Sequence, residues 1–170
     1  METNFNHLLL QTAFAVMACD GEIAIEELEL IRDYAKNQTV FGDIDIDAEL
    51  NLLVEKINQN GKRYLKEFLS SIAATDFTED QELNILSVAA KIINVDKKVE
   101  YSEIKFFKLL RQNLKHVNDD IILAKVDGVD ENTLAQDIRA DYLQTYDDYF
   151  NTVELPKFTF GPGKGKTERN

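Results

Sequence analysis

The chain has little of several things that would narrow its chemistry. In 170 residues it holds one cysteine, Cys19, and two histidines, His7 and His116. A single cysteine cannot close an internal disulfide, which fits a reducing compartment, so a cytoplasmic protein is expected. A nucleophile needs an adjacent base and a group that orients that base. Cys19 stands at an expected helix end among apolar neighbours, and the histidines are far apart in sequence, so it reads as a small buried side chain. No apolar run approaches the roughly 18 residues that a membrane span requires. The opening METNFNH has no basic region ahead of its apolar stretch, so a secretory leader is not expected either. Basic residues are also scarce, 19 Lys and Arg against 31 Asp and Glu, leaving a net charge of -12. A surface this acidic repels phosphate backbones and anionic lipid, so neither nucleic acid nor direct membrane insertion is expected. Basic protein surfaces and cations are the better partners.

What is present is a repeat. The stretch from Ala13 to Ile31 reads AFAVMACDGEIAIEELELI, an apolar helix, a tight acidic turn at Asp20-Gly21-Glu22, and a second helix opened by Glu26 and Glu27. A related stretch follows 76 positions later, from Ala89 to Phe107, reading AAKIINVDKKVEYSEIKFF. Without a gap, Leu9, Leu10, Ala13, Val16, Met17, Asp20, Ile23, Glu27, Leu28, Leu30 and Ile31 align with Ile85, Leu86, Ala89, Ile92, Ile93, Asp96, Val99, Glu103, Ile104, Phe106 and Phe107. Repeated units of this kind govern the reading of a fold.

Taken in order, helical spacing predicts a first helix from a cap at Thr3 to about Cys19 and a second over about 24–36. Residues 37–47 read as a polar connection. A third helix is predicted from a cap at Asp45 or Asp47 to Asn60-Gly61, and a fourth from about Lys62 to Ala74. Thr78 and Gln81 form a capping box for a fifth, and a sixth runs from about Ser102 to Leu114. Residues 118–129 read as irregular, and Asp130 caps a seventh helix through Phe150. The tail ends in GPGKGKTERN, with nothing to bury, and is expected to be flexible. The fold class is thus all-α, a compact domain of about seven helices with an internal duplication, over residues 1–155. Its repeat cores fall at about 8–36 and 84–114, with an extra C-terminal helix at about 131–151 and a tail at 156–170.

Motifs that carry chemistry are thin. Gly163-Lys164-Gly165-Lys166-Thr167 resembles a phosphate loop, but Phe160 stands where the first glycine must be, and no helix can follow. Counting an EF-hand from Asp20, Asp43 or Asp76 puts Ile31, Val54 or Ser87 where the bidentate glutamate belongs. The remaining candidates are the acidic turns: Asp20, Glu22, Glu26 and Glu27 in the first, Asp96 and Glu103 in the second. They form a metal site if several oxygens converge on a hard cation such as calcium. They are ordinary turn and cap residues if they instead satisfy a helix N-terminus. Lys97 and Lys98 would oppose a cation at the second turn, so the first is the better site. Aromatics on the last helix, Tyr142, Tyr146, Tyr149 and Phe150, are read as core cover rather than as a docking face.

The unit Ala18-Cys19-Asp20-Gly21-Glu22-Ile23 with Glu26 and Glu27, repeated as Asp96-Lys97-Lys98-Val99 with Glu103, resembles the TerB-like (tellurite resistance protein B) family. The likeness spans about Leu8 to Leu114. It implies a compact helical bacterial domain tied to tellurite, other chemical stress or phage resistance. Such a domain acts by binding proteins or metal ions rather than by catalysis, with no catalytic residues and no certain cofactor. The implied partners are proteins, among them membrane-associated stress-resistance components. The acidic positions carried over are Asp20 and Glu27, then Asp96 and Glu103, with Lys97 in place of the second glycine.

Overall fold

The computed structural model describes residues 2–38, 41, 44–95, 101–129, 142–156 and 158. Among these the chain forms eight α-helices and no strand: α1 (Glu2–Ala18), α2 (Ile25–Asp33), α3 (Ile46–Asn60), α4 (Lys62–Ala74), α5 (Glu79–Asn94), α6 (Tyr101–Gln112), α7 (Asp119–Lys125) and α8 (Tyr142–Thr152). The all-α class read from periodicity is the observed one.

Local chemistry explains the boundaries. Asp45 accepts the Ala48 amide at 3.2 Å and opens α3. Thr78 and Gln81 exchange hydrogen bonds of 3.0 and 3.1 Å and open α5. Gly61, at φ +61°, ends α3 and begins α4 without a linker. The second helix stops at Asp33, earlier than its spacing suggests, and winds on as a wider π-helical turn over Tyr34–Gln38. A correction falls at 118–129, where an irregular segment was expected. Asn118 accepts the Ile121 amide at 2.9 Å and caps a helix, α7, whose Ile122 is fully buried. Phe41 is a second correction. In a connection that reads as polar, it is fully buried and meets Tyr34 edge-on, with ring centroids 6.3 Å apart. The cap expected at Asp130, the second acidic turn and the tail from 159 onward lie outside the described residues; Phe158, counted with the flexible tail, is instead buried at 2% exposure and bonded to Asn58.

At the centre α1 packs most extensively against α5. Residues 12–19 of the first helix and its end are buried without interruption, as befits a helix surrounded on all sides. Around this pair α3 packs on α4, and α6 packs on α8. Phe68, Phe106, Tyr149 and Phe150 form a continuous aromatic seam joining α4, α6 and α8, with successive centroids 6.3, 5.5 and 4.7 Å apart. Tyr149 and Phe150 therefore cover the core, and Lys66 sits 5.2 Å above the Phe150 ring.

Most aligned positions of the two sequence copies are buried alike: Leu10 and Leu86, Ala13 and Ala89, Val16 and Ile92, Met17 and Ile93, Glu27 and Glu103, Ile31 and Phe107. One pair departs. Leu28 is buried, whereas its partner Ile104 is half-buried, so the inward face of α6 is carried by Phe106 and Phe107.

Candidate functional site

The first acidic turn begins where α1 runs out of partners. The Gly21 amide donates to the Ala18 carbonyl at 2.9 Å, and Gly21 takes φ +85°, a conformation that side-chain-bearing residues avoid. The Asp20 carboxylate accepts the Glu22 amide at 3.0 Å, closing the turn from within. Ile23, 4% exposed, then pins it to the body. Glu27 points inward and accepts the Ala24 amide at 2.9 Å, supplying the N-terminus of α2 with an acceptor that Ala24 itself lacks.

The four candidate acids of this turn thus divide. Asp20 is half-buried and Glu27 is buried, and each serves a backbone amide. Glu22 and Glu26 are exposed. In the second copy, Asp96 lies outside the described residues, while Glu103 is buried at 2% exposure on the first turn of α6. Asp20, Glu103 and Glu27 all act on one group. Burial pushes the Cys19 thiol well above its ordinary range, and these three carboxylates push it further in the same direction. The charges of Asp20, Glu27 and Glu103 are thus all felt at the thiol that follows α1. Among the described residues, no group of three or more His, Cys, Asp and Glu side chains is disposed to hold a metal ion.

Cys19 is fully buried and donates its thiol hydrogen to the Val16 carbonyl at 3.0 Å. His7 is twelve residues back along α1, about 18 Å at the rise of an α-helix. There it lies 3.6 Å from Glu49 of α3. His116 faces Asp76 at 3.3 Å. A protonated thiol, held away from His7 and bonded to its own helix, is a packing group.

Several residues essential to this region carry no local signal. Tyr149 of α8 donates its phenol hydrogen to the Cys19 carbonyl at 2.5 Å, capping α1 from 130 residues away, and burial drives that phenol far above its usual range. Lys62 donates to the Phe150 carbonyl at 2.7 Å. Past α8 the chain returns over the turn: a Cβ on Gly21 would lie 2.5 Å from the Glu154 carbonyl oxygen. Glu82, 1% exposed, accepts the amides of Lys115, His116 and Val117 at 2.9, 2.8 and 3.2 Å and fastens α5 to the segment before α7. An open groove of about 590 Å³ lies elsewhere, between α1, α3 and α4, lined by His7, Gln11, Glu49, Leu52, Lys56 and neighbours.

No family model, curated protein or solved structure matches the chain. No helix among the described residues is long and apolar enough to cross a membrane.

Proposed function

We propose that this protein is a non-catalytic, acidic helical interaction domain of TerB-like type that binds a basic protein surface. The observation that carries the reading is the division of labour at the first turn. Asp20 and Glu27 build the turn, while Glu22 and Glu26 present their charge to solvent. With a net charge of -12, such a surface attracts basic partners over several ångströms and fixes their orientation. The TerB-like duplication belongs to this proposal, supported by the matched burial of Glu27 with Glu103 and of Ile31 with Phe107. So do the cytoplasmic location and the stress-resistance components, among them membrane-associated ones, as partners. Affinity capture from the native host tests it, with the parent beside a Glu22→Gln/Glu26→Gln variant. A specific protein should be retained by the parent, weakened at least fivefold in the variant and released by salt. Equal capture by both would remove the acidic turn from the interface.

A second reading, a divalent-cation sensor or a metal-dependent enzyme, draws on the three carboxylates Asp20, Glu27 and Glu103, whose charges all act on the Cys19 thiol. Against it, one oxygen each of Asp20 and Glu27 is already engaged by a backbone amide, and a hard cation needs several oxygens at once. Calorimetric titration of calcium, magnesium and manganese separates the readings. Heat lost in Asp20→Asn and kept in Asp96→Asn would favour a cation at the first turn. No heat from the parent at millimolar ion returns these acids to turn and cap duty.

A further inference from the structure

The segment that follows α8 has no regular secondary structure over 153–156, carries Pro156, and is gripped by a side chain of α3. Val153 and Phe158 are buried, and Leu155 packs partly against the core, while Glu154 and Pro156 face outward. At its far end one side chain grips the backbone. Asn58 of α3 accepts the Phe158 amide at 2.8 Å and donates to the Phe158 carbonyl at 2.7 Å. Those two bonds copy one rung of a strand ladder, and they read main chain, whatever its side chains. The buried Phe158 ring, 2% exposed, supplies the selection. Backbone capture plus a side-chain pocket is how proteins bind extended peptides.

We propose that residues 153–156 together with Phe158 are an intramolecular peptide ligand, a latch that Asn58 reads and that closes over the first acidic turn. The closing contact is at Gly21, where the Glu154 carbonyl takes the space a side chain would need. The helix before it is anchored independently, by Tyr149 on the Cys19 carbonyl and by Lys62 on the Phe150 carbonyl. Release of the latch therefore leaves α8 in place and bares both the Phe158 pocket and the Asp20 turn. This goes beyond the interaction reading and does not depend on it.

Amide exchange of the full chain tests the latch. The Phe158 and Gly21 amides are expected to open together, at least tenfold less protected than the core amides of Phe14 to Met17. Asn58→Leu should lower protection at Phe158 and Gly21 by a further tenfold and leave Phe14 to Met17 unchanged. A labelled peptide of residues 151–163 should bind the full-length Phe158→Ala variant at least tenfold tighter than the parent. It should fail when its own Phe158 is alanine. Phe158 protection equal to that of Phe14 would make the segment part of the core and overturn the proposal. So would an Asn58→Leu effect that spares Gly21, equal peptide uptake by parent and variant, or a segment-swapped dimer. Should Phe158→Ala fail to fold by circular dichroism, exchange in the parent and in Asn58→Leu decides alone.

Discussion

Gly21→Ala is the most informative single change in this molecule. Two separate penalties meet at one atom. A residue with a Cβ at φ +85° loses about 1–2 kcal/mol relative to glycine. The added carbon also falls 2.5 Å from the Glu154 oxygen, which is backbone and cannot rotate away. Relief requires the following segment to lift. Lifting exposes Phe158, a loss of about 1.5–3 kcal/mol for a fully buried ring, and strains the paired bonds from Asn58, each contributing about 0.5–1.5 kcal/mol. A total of about 3.5–8 kcal/mol is expected if both bonds are lost, a large share of the roughly 5–15 kcal/mol that holds an average domain together. Gly61→Ala is the comparison. Its φ of +61° with ψ -138° lies in a region even more closely reserved for glycine, but an added Cβ meets nothing within 4 Å. It should lose only the backbone penalty of about 1–3 kcal/mol. Urea unfolding followed by far-ultraviolet circular dichroism gives each value by linear extrapolation. The decisive comparison is a cycle with Phe158→Ala. Because both changes unseat one segment, the double variant should lose about 1–2 kcal/mol less than the sum of the singles. Additive losses, with Gly21→Ala no worse than Gly61→Ala, would show that the contact at Glu154 carries no energy.

The remaining expectations concern the core and its buried polar groups. Burial raises the Tyr149 phenol, so above about pH 10 the unfolded chain gives up a proton that the folded chain keeps, and stability falls as pH rises. Tyr149→Phe should flatten that decline by up to about 1.4 kcal/mol per pH unit in unfolding measured from pH 9 to 11; an unchanged slope would mean the phenol is hydrated. At neutral pH the same variant should lose about 1–3 kcal/mol by leaving the Cys19 carbonyl without its donor. Leu28→Ala should lose about 2–5 kcal/mol and Ile104→Ala about half as much, since only the first is fully buried; equal losses would restore the strict equivalence of the two copies. Glu82→Ala strands three amides, that of Val117 buried and the other two partly so, and should lose about 3 kcal/mol or more. Glu82→Gln keeps one acceptor and should lose distinctly less, as thermal melts would show.

Much of the fold was legible because its signals are local. The Asp45 cap, the Thr78–Gln81 box and the Asn60-Gly61 break each act within four residues, and each falls where the sequence places it. Missed elements have a common cause. The α7 helix has seven residues and begins with two aspartates, so its periodicity is too short to register, and only the Asn118 cap announces it. Phe41 stands with Val40 in a short connection otherwise rich in polar residues, and it meets Tyr34 across a π-turn that no spacing rule anticipates. The grip of Asn58 on Phe158 spans 100 positions, and that of Tyr149 on Cys19 spans 130. An asparagine in a helix and a tyrosine in an aromatic stripe look the same in sequence whether or not such a partner exists.

The acidic turn shows where local reading stops being enough. Sequence placed Asp20, Glu22, Glu26 and Glu27 together and left two uses open, a cation site or helix capping. The geometry separates residues that look alike on paper, because an inward carboxylate must be satisfied where it lies. Glu27 is buried and meets that demand with the Ala24 amide, so its charge serves the start of α2. Asp20 meets it with the Glu22 amide. Glu22 and Glu26 face water with no such obligation, and an exposed carboxylate acts on its surroundings chiefly through its field. A partner that senses this turn therefore meets Glu22 and Glu26 first, while Asp20 and Glu27 determine whether the turn keeps its shape. Substitutions at the first pair should change binding and leave the melting temperature nearly unmoved, within about 0.5 kcal/mol of the parent as for ordinary surface sites. Glu27→Ala should do the reverse, lowering stability by about 0.5–2 kcal/mol as the loss of a cap does, and binding only in proportion. A Glu22→Gln/Glu26→Gln protein that melts well below the parent, with capture unchanged, would assign those two side chains to the scaffold.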